Sequence, residues 1–342
     1  MKRKFSTITV FVSLLVLAFL SACTSKLNKT KQAEPNNRIE VIFDTDANNE
    51  LDDQHALAYL VFNSAIFDVK AITVNATHSG GAIEKHYQEA ERVMKLCNVF
   101  NQIPLLQGAN GNFETIRSTL SDSLFDGKAA IDFIVEEARK ERDHQLVLIP
   151  VGKLTNIALA LEKAPDIKDK VRIVWLGSNY PDPGEYNQDN DLPSLNYILD
   201  QNVSFEMVTV RYGANSGSSA VSVTPSQMET MMPGTGPLAN AVEGRHGGSF
   251  TRFGDYSIDL FRHIDLHGNP PSRSLFDVVA VAVVKNPSWG EARSIAAPIM
   301  DIGKNEWVNR PGNKHSIVVW ENFSKKAILD DFFSTMKNQS EE

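Results

Sequence analysis

The sequence predicts an α/β protein in which a mainly parallel sheet is flanked by helices, within one domain spanning residues 38–342. Three observations predict it. Short β-branched runs alternate with longer amphipathic ones along most of the chain. The polar segments richest in Asp, Asn and Gly follow strand-like runs, at the strand ends where open α/β sheets bind ligands. The length of 342 residues suits one large domain, and no internal repeat interrupts the alternation. The architecture expected is Rossmann-like.

The elements follow in order. The apolar run Ile39-Glu40-Val41-Ile42-Phe43 is a strand, and a helical pattern through Ala56, Leu57, Tyr59, Leu60, Val61 and Phe62 follows it. Residues 69–75 are strand-like, with Val69, Ile72, Thr73 and Val74 β-branched. Residues 83–97 have helical spacing through Ala90, Val93, Met94, Leu96 and Cys97. A short strand at 104–107, a polar loop and a helix at 128–140 come next. Then strands at 145–151, 171–177 and 205–210 alternate with helices at 154–163 and 193–201. Residues 211–273, rich in Gly, Ser, Pro and Met, are expected to form helical insertions and mobile loops over the sheet. A strongly apolar helix at 274–285 and a late strand at 316–320 complete the reading.

The first residues read as a processing signal. Lys2-Arg3-Lys4 is a basic start, and the apolar run 8–20 is too short for a comfortable membrane span. It ends in Leu20-Ser21-Ala22-Cys23, which resembles the lipobox of bacterial lipoproteins. Residues 1–22 are therefore expected to be removed, with Cys23 lipidated and residues 23–37 a polar tether. The expected location is the bacterial cell envelope, outside the cytoplasm, with the membrane reached through the lipid alone. Cys97 is then the one cysteine outside the lipobox, which leaves no intramolecular disulfide, and its helical surroundings mark it as a core residue. A net charge of −8 with no basic stripe argues against nucleic-acid polymers as ligands.

The segment Asp44-Thr45-Asp46-Ala47-Asn48-Asn49-Glu50-Leu51-Asp52-Asp53 closes the first strand with four aspartates in ten residues. Such a cluster repels itself unless a cation or sugar hydroxyls lie between the carboxylates. A helix cap accounts for one of them and leaves Asp44 and Asp46 unexplained. Asp277 stands in the apolar run 275–284, where an ionised carboxylate is costly unless paired or bound to metal. The turn Val151-Gly152-Lys153-Leu154-Thr155-Asn156 joins a strand to a helix, and carbonyls freed at such a turn suit Ca²⁺. Gly177-Ser178-Asn179, followed by Gly184-Glu185-Tyr186-Asn187, places amide and carboxylate groups on loops, where they suit sugar hydroxyls.

Together these four segments resemble the nucleoside hydrolase family of the inosine–uridine-preferring type. Asp44 to Asp53 is similar to the family's Asp-x-Asp-Pro-Gly-x-Asp-Asp element lengthened by two residues, and residues 151–156 to its Thr-Gly-Pro-Leu-Thr-Asn turn. Gly177 to Asn187 is similar to its Gly-Gly-Asn…Glu-Phe-Asn segment, and Leu275-Phe276-Asp277 matches its late His-Asp element in the Asp. The resemblance implies Ca²⁺ held by Asp46, Asp53, the Val151 carbonyl and Asp277, with water and ribose hydroxyls completing the shell. It implies Asp46 as general base toward a water attacking the anomeric carbon. Asp52, Asn75, Asn179, Glu185 and Asn187 would hold the sugar. The expected activity is hydrolysis of the N-glycosidic bond of ribonucleosides or related N-ribosides, small-molecule substrates, and a homo-oligomer is compatible with it.

The departures are local. Phe276 stands where the family often has a His that helps protonate the departing base, and no early His-Gly loop is found around residues 110–127. His78, His246, His263 and His267 are the candidates to replace it. The competing reading is a lipid-anchored nucleoside- or sugar-binding protein without catalysis. A phosphatase of the Asp-x-Asp type leaves Asp52, Asp53 and residues 185–187 unexplained. An EF-hand-like loop fails because Asn49 replaces the turn Gly and His55 the closing Glu.

Overall fold

The computed structural model describes residues 38–340, so the signal-like run, Cys23 and the tether lie outside the described residues. Eight strands form one sheet: β1 (Ile39–Thr45), β2 (Phe67–Val74), β3 (Leu105–Gln107), β4 (Leu146–Pro150), β5 (Val171–Leu176), β6 (Ser204–Val208), β7 (Glu291–Ala296) and β8 (Ser316–Glu321). Their spatial order is β7-β8-β6-β5-β4-β1-β2-β3, and every pairing is parallel except that of β7 with β8. The order therefore reverses at β1 and β4, the crevice where doubly wound sheets take ligands.

Burial explains the strand sequences. Central parallel strands are covered on both faces, so they read as continuous apolar runs. Side chains alternate between faces: Val41 and Phe43 of β1 enter one hydrophobic core while Ile42 enters the other. The first core holds the helices α1 (Leu51–Phe62), α2 (Ile83–Leu96), α6 (Phe253–Arg262), α7 (Phe276–Lys285) and α8 (Lys325–Asn338). The second holds α3 (Lys128–Arg139), α4 (Thr155–Lys163) and α5 (Leu192–Leu199). All of α1 is buried, as is α7 from Asp277 to Val284, which is why beyond their polar first turns these two helices are apolar on every side. Cys97 is a buried free thiol, as its surroundings suggested.

The expected elements are present, and two regions differ from expectation. Residues 211–273 hold the helix Pro225–Met231, α6 and short strand pairs, including Ser222–Val223 with Arg273–Ser274. The Gly- and Ser-rich composition hid the spacing of Phe253, Tyr256, Leu260 and Phe261 that α6 buries. After α7 the chain adds the edge strand β7, the pair Ile299–Asp301 with Glu306–Val308, and α8. The helix expected at 193–201 begins at Leu192, because the Asp191 carboxylate caps it by accepting from the Ser194 N–H. Among the described residues no helix is long and apolar enough to cross a membrane.

Candidate functional site

The site grows out of the reversal between β1 and β4, where the Val151 N–H donates to the Asp44 carbonyl at 2.8 Å. Asp44 itself is structural. Its carboxylate accepts from Thr73 Oγ1 at 2.6 Å, Asn75 Nδ2 at 2.7 Å and Asn156 Nδ2 at 2.7 Å, tying β1 to β2 and α4. Burial still pushes its pKa up to about 6. Asp46, 1% exposed, has Oδ2 held by Thr77 Oγ1 at 2.5 Å. Its Oδ1 faces Gly152, where an added Cβ would lie 2.8 Å from it and 2.8 Å from Asn75 Oδ1. That amide oxygen is buried without a partner.

The residues between Asp46 and Asp52 form a half-buried turn tied to the neighbouring loop and to α2. Asn48 Nδ2 donates to the Gly80 carbonyl at 2.6 Å, and the Asn48 N–H to His86 Nδ1 at 3.2 Å. Asp52 and Asp53 consequently lie in the first turn of α1. Thr45 Oγ1 donates to Asp53 Oδ1 at 2.5 Å. The N–H groups of Phe276 and Asp277, at the start of α7, bond the Asp52 carboxylate.

These groups converge on a cavity of about 150 Å³ lined by Asp46, Asp52, Asp53, Asp277 and Glu185, with Val151 and Asn187 beside them. No cationic side chain lines it. Burial first, and like charge second, raise Asp53 and Asp277 well above the carboxylate range. Burial raises Asp46, and lifts Asp52 to about 7. One carboxylate oxygen from each of Asp52, Asp53 and Asp277 lies within 4.8 Å of the others. With Glu50, six acids line the cavity beside Val151 and Asn187, an oxygen-rich donor set with no thiol or imidazole, which fits a hard divalent cation and not a thiolate- or imidazole-seeking one.

Most of the sequence-derived residues meet here. Asn187 Nδ2 donates to the Val151 carbonyl at 2.7 Å and the Leu176 carbonyl at 3.2 Å, and Trp175 Nε1 to the Gly152 carbonyl at 3.0 Å. Glu185 accepts from the N–H groups of Ser178, Asn187 and Gln188, at 2.8, 3.1 and 2.9 Å, yet burial carries its pKa to about 7. Asn75 stands just behind the cavity floor with its free Oδ1. Asn179 is not brought in: its amide donates to the Gly184 carbonyl, its Oδ1 accepts from the Tyr212 N–H at 3.3 Å, and it faces a neighbouring depression. The trio of Asp52, Asp53 and Asp277 also differs from expectation, since Asp52 was assigned to sugar and Asp46 to metal. None of the four candidate histidines lines the cavity. His78 bonds Asn190, His246 stacks on His263 at 4.2 Å, and His267 lies beside Arg273. Sequence reasoning missed Thr77, Asn156, Tyr186 and Tyr212. The last two line the cavity, where Tyr212 meets Phe276 edge to face at 6.0 Å between ring centres.

Comparison with known proteins agrees with this fold. The chain is similar to a purine-preferring ribonucleoside hydrolase from Gardnerella vaginalis, at 18% identity over 88% of this chain and 99% of that one, with a TM-score of 0.67. It is similar to an inosine-uridine preferring nucleoside hydrolase from Bacillus anthracis, at 15% identity over 87% and 99%, with a TM-score of 0.63. At such identities the likeness shows the fold. An uncharacterized protein of Schizosaccharomyces pombe is 27% identical over 119 residues, so the match spans 33% of this chain and 38% of the length of that relative. The family model described as inosine-uridine preferring nucleoside hydrolase matches residues 41–326, from β1 to the start of α8, and the chain belongs to that family.

Proposed function

We propose that the chain hydrolyses the N-glycosidic bond of ribonucleosides or related N-ribosides, releasing base and ribose, with Ca²⁺ as its cofactor. The observation that carries the reading is the convergence of acids from β1, α1 and α7 with the Val151 carbonyl on one cavity at the sheet reversal. Asp46, Asp53, Asp277 and the Val151 carbonyl would hold the ion. The crowding of Asp52 with Asp53 and Asp277 supports a shared role for Asp52 at the ion and the sugar. When bound, a hard divalent cation supplies Lewis acidity toward water and sugar oxygens.

The chain's own residues supply the rest. Asp46 Oδ1 takes the proton of the attacking water, while Thr77 holds Oδ2 and fixes the carboxylate plane. Asn75 Oδ1, buried and unpaired beside Asp46 Oδ1, is placed to accept from that water. Glu185 and Asn187 present polar atoms to the ribose hydroxyls, and the negative wall favours the oxocarbenium-like transition state. The cavity suits a pentose, not a nucleoside entire, so the base lies beyond it. The names of the similar proteins point to purine nucleosides, inosine and uridine as first substrates to try. Reducing-sugar release from a nucleoside panel, with CaCl₂ and with chelator, tests the reading. Release that needs the metal and disappears in Asp46→Asn is expected, and no release from any nucleoside would reject it.

The same proposal places the protein at the cell envelope through a lipid on Cys23, with residues 23–37 as tether. Cys23→Ser is expected to shift the protein from membrane to soluble fractions. Unchanged membrane attachment would reject the anchor.

A further inference from the structure

A second cavity, of about 490 Å³, adjoins the acidic one, and Tyr212 and Phe276 line both. The two have opposite character. No carboxylate lines the second cavity, whereas Arg273, Lys325 and His267 do, with four serines between them. Arg273 is 7% exposed and paired with Glu50, a wall of the acidic cavity, so this ion pair marks the seam. Its Nη1 reaches His267 Nε2 at 3.1 Å and the Asp265 carbonyl at 3.4 Å, yet its Nε is buried with no partner. Lys325 Nζ donates to Ser222 Oγ at 3.1 Å and forms no ion pair among the described residues.

We propose that the second cavity receives the leaving group of the riboside and selects leaving groups that bear a carboxylate; the inference rests on the hydrolysis proposed above. With ribose in the acidic cavity, the C1′–N bond breaks and its electron pair stays on the leaving nitrogen. Water adds to C1′ and its proton passes to Asp46. No histidine, lysine or arginine lines the acidic cavity, so a leaving group that needs little help from an acid suits it best. A pyridinium-type nitrogen needs no proton, because it departs neutral. A carboxylate on that ring would meet the Lys325 ammonium in a charge-assisted hydrogen bond, with the Arg273 guanidinium in the same wall adding positive charge. The acidic cavity repels the same group, so the substrate is oriented by opposite fields at its two ends.

Nicotinic acid riboside and nicotinamide riboside break the same bond and differ by carboxylate against carboxamide. With Ca²⁺ and the full chain, kcat/KM is expected to favour the carboxylate by about tenfold or more. Lys325→Gln and Arg273→Lys should each move the ratio toward one through loss on the carboxylate substrate. Lys325 is exposed, so its replacement leaves the fold alone. A wild-type ratio at or below one, or a ratio indifferent to both substitutions, overturns the inference. If neither riboside is cleaved, the proposed hydrolysis fails instead. Calorimetric binding of the same pair to Asp46→Asn then still decides the subsite: tenfold tighter carboxylate binding upholds it, and equal or weaker binding overturns it.

Discussion

Asp46 has one oxygen held by Thr77 and one turned toward Gly152 and Asn75, a division of labour that only an acid can perform. Asn at this position keeps the size and the bond from Thr77 but cannot take a proton. Asp46→Asn is therefore expected to lower kcat by about 10²–10⁴-fold, with the binding of a ribose analogue largely kept. Initial rates and equilibrium dialysis check both halves, and a rate within threefold of wild type would exclude Asp46 as base. Asp46, Asp53, Asp277, Glu185 and Asn187 were legible because each stands in a short polar motif that interrupts an apolar run. Thr77 and Asn156 were not. Thr77 meets Asp46 from 31 residues away and leaves no local pattern, and Asn156, though it closes the 151–156 turn, meets Asp44 from 112, so its partner does not show in the sequence. Asn179 lies outside the cavity for a related reason: its amide is bonded by Gly184 in its own loop and by Tyr212 from 33 residues away, a distant partner that leaves no local pattern.

At the level of elements, the turn between β4 and α4 is where backbone and chemistry are closest. Gly152 leaves room that a methyl group would take from Asp46 Oδ1 and Asn75 Oδ1, each 2.8 Å from the ideal Cβ. Both belong to short buried side chains tied to Thr77 and Asp44 and would have to shift by a few tenths of an ångström, so Gly152→Ala should cost some stability and much activity. A fall in kcat/KM of about 100-fold or more is expected, as for other small misplacements of reacting groups. A midpoint of thermal unfolding within a few degrees of wild type should accompany it, and full activity in this variant would show that the floor of the cavity tolerates a side chain. The central strands and α7 were legible because continuous apolar runs have one physical explanation, burial on all sides. β7 was not, since Glu291-Ala292-Arg293-Ser294 is exposed and its side chains meet β8 through surface contacts such as Arg293 with Glu321, which leave no apolar pattern.

For the whole molecule, the buried acids make stability depend on pH and on metal. Glu185 and Asp52 titrate near 7 in the folded chain, against 4.5 and 3.8 when free, because burial disfavours their charged forms. The folded state therefore holds protons that the unfolded chain releases. This stabilisation is complete below about pH 4 and is lost as pH rises through about 7. In chelator the unfolding temperature should fall over that window. A divalent cation bound there, Ca²⁺ in the proposal above, would replace the protons, so its benefit should grow with pH, reaching about 2.7 kcal/mol at a hundredfold excess over Kd. Thermal melts from pH 4.5 to 8 with and without Ca²⁺ check this, and superimposable curves would remove the ion from the cavity.

The antiparallel border strand β7 has one more consequence, for how copies of this chain behave when crowded. A sheet edge offers unpaired N–H and C=O groups to any neighbouring strand. Along β7 that rim carries Glu291 and Arg293, the first held by Asn322 Nδ2 at 2.7 Å and the second by Glu321 at 3.3 Å. A second strand docking there would have to strip water from both charges. At the opposite border β3 is only three residues long, too short to template a ladder. The sheet thus ends in one guarded rim and one truncated rim, and neither invites a second copy of the chain to extend the sheet edge to edge.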